Sequence, residues 1–290
     1  MTVDAVTNMG ASVRQRLLNY GKASGKPFAE VLQYYAMERF LYRLSVSSHV
    51  DAFTLKGALL LTAWQAPLSR PTMDIDLLGR TDNAVDAILD LMREISQTEV
   101  VDDGIAFDPA SFASETIRED ADYSGVRTRF IGHLDSARIH MQIDIGFGDV
   151  MTPGPQAIVY PTILDFPAPK LSGYSRETVI AEKLQALTHL RMLNTRMKDY
   201  FDLWLLTRQS ELKKDLLAVA IKRTFENRGM QIDPNPAGLS VAFGNDPAKQ
   251  MLWSAFLKRS RLTEAPQSLA EVVEELNQFF TPILNELLLH

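Results

Sequence analysis

Asp74 and Asp76 stand two residues apart in the segment RPTMDIDLL, residues 70–78. The 73–78 stretch alternates, so on a strand both carboxylates project from one face while Met73, Ile75 and Leu77 project from the other. Adjacent carboxylates repel unless a cation or water is shared between them. A divalent ion suits such a pair, Mg²⁺ above all and Mn²⁺ next, because it accepts a few carboxylates together with the phosphate oxygens of a substrate. A strand with a wet outer face carries the same spacing with no metal. Asp144 tilts the balance towards metal. In 138–147 the residues Ile139, Met141, Ile143, Ile145 and Phe147 share one face, and His140, Gln142, Asp144 and Gly146 the other. If that strand neighbours 73–78, three carboxylates converge, as a phosphoryl-transfer site with one or two metals requires.

Other groups fit phosphate chemistry. Lys56-Gly57-Ala58 reads as a turn between a strand and a helix, where a glycine lets backbone N–H groups approach a phosphate. Arg70 and Thr72, just before the acidic strand, are candidate phosphate donors. Lys183 lies four residues after Val179 and four before Leu187, on the apolar stripe of a helix, so it must snorkel, pair with an acid or face a cleft. Asp199 and Asp202 are three apart on one face of a later helix. Taken singly, each of these also fits an ordinary turn, loop or amphipathic helix. Asp149, past the second acidic strand, reads as a loop residue.

The elements that must hold these groups follow from periodicity. Residues 1–50 read as helical, with Pro27 opening a segment in which Tyr34, Met37, Leu41 and Leu44 share a face. Residues 53–61 read as a short buried strand or the start of a helix, with the junction at Lys56-Gly57. Asp82 is expected to cap a helix carrying Val85, Ile88, Met92 and Ile95. Residues 126–132 and 138–147 read as a hairpin closed near Leu134-Asp135-Ser136. The prolines of 151–169 predict an extended connector, and the pattern is helical from Ser175 almost to the end. The layout is a mixed α/β half, 1–160, followed by a helical half, 161–290, with the site expected in the cleft between them.

Composition sets limits on the chemistry. The 290 residues carry 30 Lys+Arg against 36 Asp+Glu, a net charge of −6, and 46% are hydrophobic, enough for a packed core. Disulfides, thiolate metal sites and cysteine nucleophiles are excluded, because the chain has no cysteine. The histidines show no zinc spacing. No Walker loop, GxGxxG or GxSxG occurs, which removes P-loop, Rossmann and hydrolase readings. The N-terminus has no signal-peptide pattern, and no apolar run approaches the roughly 18 residues of a membrane span. A cytoplasmic protein without membrane association is expected.

Taken in order, Leu55-Lys56-Gly57, Arg70 to Asp76, Ile143-Asp144-Ile145-Gly146, Ala181 to Ala186 and Arg196 to Leu203 resemble the AbiEii/AbiGii-type nucleotidyltransferase toxins of abortive-infection and toxin–antitoxin systems. The resemblance implies an α+β fold: a nucleotidyltransferase-like mixed β-sheet domain flanked by helices, then a helical C-terminal domain. It implies Mg²⁺ on Asp74 and Asp76 with Asp144 as the third acid, and Lys183 on phosphates. Lys56, Gly57 and Ala58, with Arg70 and Thr72, fall on the nucleotide side, and Asp199 or Asp202 is the late acid. The family's turn reads Gly-Gly or Gly-Ser, so Ala58 is a departure. Implied partners are an NTP, an RNA acceptor with the tRNA 3′ end favoured, and a cognate antitoxin. Lys213, Lys214, Lys222, Arg223 and Arg228, with Lys258, Arg259 and Arg261, are a candidate RNA-tracking set. A protein or small-molecule acceptor, or a binding module without catalysis, are the alternatives.

Overall fold

The computed structural model describes residues 8–66, 70–120, 123–209 and 212–289; the helical expectation for residues 1–7 lies outside them. The chain divides into two compact units. The first comprises Met1–Gln65, Pro71–Gly148 and Gln156–Gly173, and the second Ala66–Arg70, Asp149–Pro155 and Tyr174–His290.

The first unit runs α1 (Met9–Ser24), α2 (Phe28–Val46), β1 (Phe53–Lys56), α3 (Leu59–Ala63), β2 (Ile75–Gly79), α4 (Val85–Ser96), β3 (Ile105–Asp120), β4 (Tyr123–Leu134), β5 (Ala137–Phe147), β6 (Gln156–Val159) and β7 (Lys170–Gly173). The strands form one seven-stranded mixed sheet in the order β3-β4-β5-β2-β1-β7-β6. β2–β5 and β1–β7 are parallel and the other pairs antiparallel. Alternation sets its faces: Ile75, Leu77, Met141, Ile143 and Ile145 are buried on the core side. Phe40 of α2 meets Phe107 and Phe130 at centroid distances of 5.7 and 5.3 Å, and Phe112 stacks on Phe130 at 4.2 Å.

Three expectations change on contact with the fold. Asp82 does not cap α4: Ala84 holds that position, and the Asp82 carboxylate accepts the Ala84 N–H at 3.0 Å, a turn before the helix starts. The 151–169 connector contains a strand, β6, which pairs with β7. The long edge strand β3 has no counterpart in the reading of periodicity. Its alternation is interrupted by a register shift between Asp108 and Ala113, around Pro109, and its distal half is the polar run ETIRED.

The second unit is helical: α5 (Arg176–Leu190), α6 (Met197–Thr207), α7 (Lys214–Asn227), α8 (Val241–Gly244), α9 (Pro247–Ser260) and α10 (Leu269–Leu289). Ser175 caps α5 by accepting the Thr178 N–H, and Asp246 caps α9 at Ala248 and Lys249 with Pro247 in the first turn. Its core stacks Tyr200 on Phe243 at 5.0 Å and sets Trp253 against Phe256 at 5.5 Å. Tyr200 Oη donates to the Gly238 carbonyl at 2.8 Å, where an added Cβ on Gly238 would crowd the Leu187 carbonyl.

α2 is buried on most sides, with Gln33, Glu38, Arg39 and Arg43 among its buried residues. Its polar residues therefore need partners. Arg43 forks onto Asp103 at 2.8 and 3.0 Å, and Tyr35 Oη donates to the Asp103 carbonyl at 2.6 Å. Glu38 accepts the Ile163 N–H at 2.7 Å and lies 3.1 Å from Arg39 Nε. Burial pushes its carboxyl up to about 7, against the opposing pull of Arg39 and of the Ile163 N–H. An acid raised on folding binds its proton more tightly in the folded than in the unfolded chain. Its contribution is therefore fully present below about pH 4.5 and is lost as pH rises towards 7. Urea titrations of wild type and Glu38→Gln should show the variant gaining on wild type by about 1 kcal/mol per pH unit across that window; parallel pH profiles would show that Glu38 stays ionised.

Candidate active site

The acidic cluster lies in the first unit and is set by strand register. β2 and β5 run parallel with Asp76 opposite Asp144, so the two carboxylates share a face in adjacent strands. The same row extends in both directions: Lys56 of β1 is opposite Asp76, Arg127 of β4 opposite Asp144, and Glu115 of β3 opposite Arg127. Asp74 sits two residues before Asp76, at the bend that leads into β2. That lead-in is fastened by α2: Tyr34 Oη accepts the Thr72 N–H, and Gln33 Nε2 donates to the carbonyls of Met73 and His140, each at 3.1 Å. Thr72 Oγ1 donates to Asp74 Oδ1 at 2.5 Å.

One carboxylate oxygen each from Asp74, Asp76 and Asp144 lie within 4.8 Å of one another. Oxygens on opposite vertices of an Mg²⁺ octahedron are about 4.2 Å apart, given Mg–O distances near 2.1 Å. The three hard oxygen donors thus fit Mg²⁺ or Mn²⁺ with small side-chain adjustments, leaving positions for phosphate oxygens or water.

Gly57 is required here twice over. Its φ of +74° lies in the left-handed region, and an added Cβ would overlap the Asp76 carboxylate. Ala58 follows at φ −71°, in the capping position of α3, with an ordinary helical backbone. Lys56 is buried in the row beside Asp76.

The remaining sequence candidates assemble in the second unit. Arg70 grips Asp202 with Nε and Nη2 at 2.8 and 2.9 Å, and Lys183 Nζ bridges Asp199 at 2.6 Å and Asp202 at 2.9 Å. All four side chains are largely buried, with two positive and two negative charges. Burial alone would lower Lys183, but the charges of Asp199 and Asp202 outweigh it and hold the ammonium above the usual lysine range. Burial would raise Asp202; Arg70 and Lys183 overcome it and hold the carboxyl below the usual range. Arg70 is therefore bound to a carboxylate, whereas Thr72 belongs with the acidic cluster. Asp149 takes Arg228 Nη2 at 2.9 Å, and Arg228 Nη1 donates to Gln185 at 3.1 Å. Arg228 thereby leaves the exposed basic set, in which Lys213, Lys214, Arg223, Lys258, Arg259 and Arg261 remain exposed.

Arg127 is the residue the sequence reading missed. The signal was available: a hairpin turning at Asp135-Ser136 sets residues whose numbers sum to 271 opposite each other, which pairs 127 with 144.

Residues 39–275 match the family described as nucleotidyl transferase AbiEii toxin of type IV toxin–antitoxin systems. The chain belongs to that family and is a nucleotidyltransferase. The crystal structure of JHP933 from Helicobacter pylori is similar in fold, at a TM-score of 0.51 and 17% identity over 89% of this chain and 93% of that one. A crystal structure of a candidate nucleotidyltransferase from H. pylori aligns at 0.46 and 16% identity, over 89% and 95%. No curated protein matches the chain. No helix among the described residues is long and apolar enough to cross a membrane.

The two clusters should respond oppositely to neutralisation. Asp74→Asn removes one of three mutually repelling charges and should leave stability within about 0.5 kcal/mol of wild type, or above it. Asp202→Asn takes the carboxylate that Arg70 and Lys183 share out of a buried ion-pair network and should cost about 3–5 kcal/mol near pH 7. Because the folded Asp202 carboxyl is held low, that cost should shrink as pH falls below the ordinary carboxylate range near 4. Urea unfolding of both variants checks this; equal losses would mean the acidic cluster is as structural as the ion-pair network.

Proposed function

We propose that the chain is an Mg²⁺-dependent toxin that transfers a nucleotide from an NTP to an RNA acceptor, the tRNA 3′ end first among the candidates. The observation that carries this reading is the convergence of Asp74, Asp76 and Asp144 on one sheet face, with ligand oxygens within 4.8 Å. These three would hold the cation, which when bound supplies charge neutralisation at the triphosphate. The chain's own residues do the positioning. The Gly57-Ala58 turn offers backbone N–H groups to phosphate, as the family's turn does, and keeps clear of Asp76. Thr72 and Tyr34 fix Asp74 in place.

Lys183 is assigned the phosphate contact. Asp202, with both oxygens committed to Arg70 and Lys183, orients that lysine. Asp199 is then the better late acid, receiving a proton from the acceptor hydroxyl. The exposed bases Lys213, Lys214 and Arg223 of the second unit support a polyanionic acceptor despite the net charge of −6. The same reading includes a cognate antitoxin, which type IV membership supports, and action in the cytoplasm.

Incubation of the protein with each α-³²P-labelled NTP, Mg²⁺ and total RNA should label the 3′ end of an RNA species, and EDTA should abolish it. Asp76→Asn should lower the rate at least about 10³-fold. Label on protein or a small molecule would replace the acceptor, and no labelling with any NTP by folded, nucleotide-binding protein would defeat the catalytic reading.

A further inference from the structure

Both oxygens of Asp144 are already occupied. Arg127, directly opposite on β4, donates Nε to Oδ1 at 2.7 Å and Nη2 to Oδ2 at 2.6 Å. Gln142 Nε2 adds a contact to Oδ2 at 3.3 Å. A guanidinium that forks across a carboxylate covers the lone pairs that a divalent cation would use, and two positive charges within a few ångströms repel. The arrangement is also lopsided. The Arg127 side chain is 29% exposed and that of Asp144 only 8%, so the arginine has room to leave and the aspartate has not. A second acid stands ready: Glu115 lies opposite Arg127 on β3, where it is held by Arg129 at 2.6 Å.

We propose that Arg127 is a placeholder for the divalent cation. It satisfies Asp144 in the metal-free protein and withdraws when the cation arrives, so guanidinium and metal compete for one carboxylate. The proposal rests on the reading of Asp74, Asp76 and Asp144 as the cation site. Arg127 thereby acts as a positioning residue that sets how readily the site fills. It keeps Asp144 oriented and limits repulsion among the acids, at the expense of metal affinity. Lysine, with a single point charge and no planar fork, should fill the role only in part.

The test is Mn²⁺ binding without nucleotide, followed by the electron paramagnetic resonance signal of free Mn²⁺ at fixed ionic strength. Arg127→Gln should bind Mn²⁺ roughly tenfold more tightly than wild type, the scale of one charged hydrogen-bonded pair. Arg127→Lys should fall between them, and the gain should vanish in an Asp144→Asn background. Circular dichroism and thermal melts establish that each variant is folded. If Arg127→Gln does not fold, the comparison of Arg127→Lys with wild type decides, and an unchanged affinity overturns the proposal. Unchanged or weaker Mn²⁺ binding by folded Arg127→Gln, while Asp76→Asn abolishes binding, overturns the placeholder role and leaves the cation site standing. Binding that survives Asp76→Asn overturns the cation site and the placeholder together.

Discussion

The parallel pairing of β2 with β5 is the constraint on which the acidic cluster depends. It sets Asp76 beside Asp144 in a sheet, a juxtaposition of like charges that opposes folding unless neighbouring cations offset it. The register is held by the opposite face, where Ile75, Leu77, Ile143 and Ile145 are buried. A slip of one residue would turn the slipped strand's buried pair outward and its acid inward, a larger loss than the repulsion the slip would relieve. The hydrophobic core thus forces the carboxylates together. The neighbouring strands answer with Lys56 on one side of the pair and Arg127 on the other.

The second unit handles buried charge differently. Arg70, Lys183, Asp199 and Asp202 balance one another, with oxygens and nitrogens between 2.6 and 2.9 Å apart. In such a buried network, removing one member leaves an opposite charge less compensated. The acidic cluster, by contrast, brings carboxylate oxygens of Asp74, Asp76 and Asp144 within 4.8 Å of one another, a gathering of like charge that a divalent cation would offset. Both groups carry the residue types of phosphate chemistry, but one gathers like charges and the other balances opposite ones.

Much of this was legible in the sequence, for particular reasons. The alternation of 73–78 and 138–147 gave strands and faces because the period of a strand is strictly two. Gly57 marked the junction of β1 and α3 because the turn there needs a left-handed residue. That Asp76 and Asp144 are in adjacent strands was not legible, since a parallel pairing across 68 positions leaves no local trace. β3 escaped because a bulge around Pro109 and the polar run ETIRED erase the alternation that would announce it. Arg228 looked like one of a basic cluster, yet tertiary structure sets it on Asp149, 79 residues away. Partners of charged side chains are decided by the fold, and residue spacing reports them only within a helix or a hairpin.

If the sheet gathers Asp74, Asp76 and Asp144 to hold a divalent cation for nucleotide chemistry, a crystal of the protein soaked with Mn²⁺ and a non-hydrolysable NTP analogue should show it by anomalous scattering. A manganese peak is expected about 2.1–2.3 Å from oxygens of at least two of these aspartates and in contact with the triphosphate. A bound nucleotide whose metal sits on other residues, with the three carboxylates bare of it, would rule this cation site out.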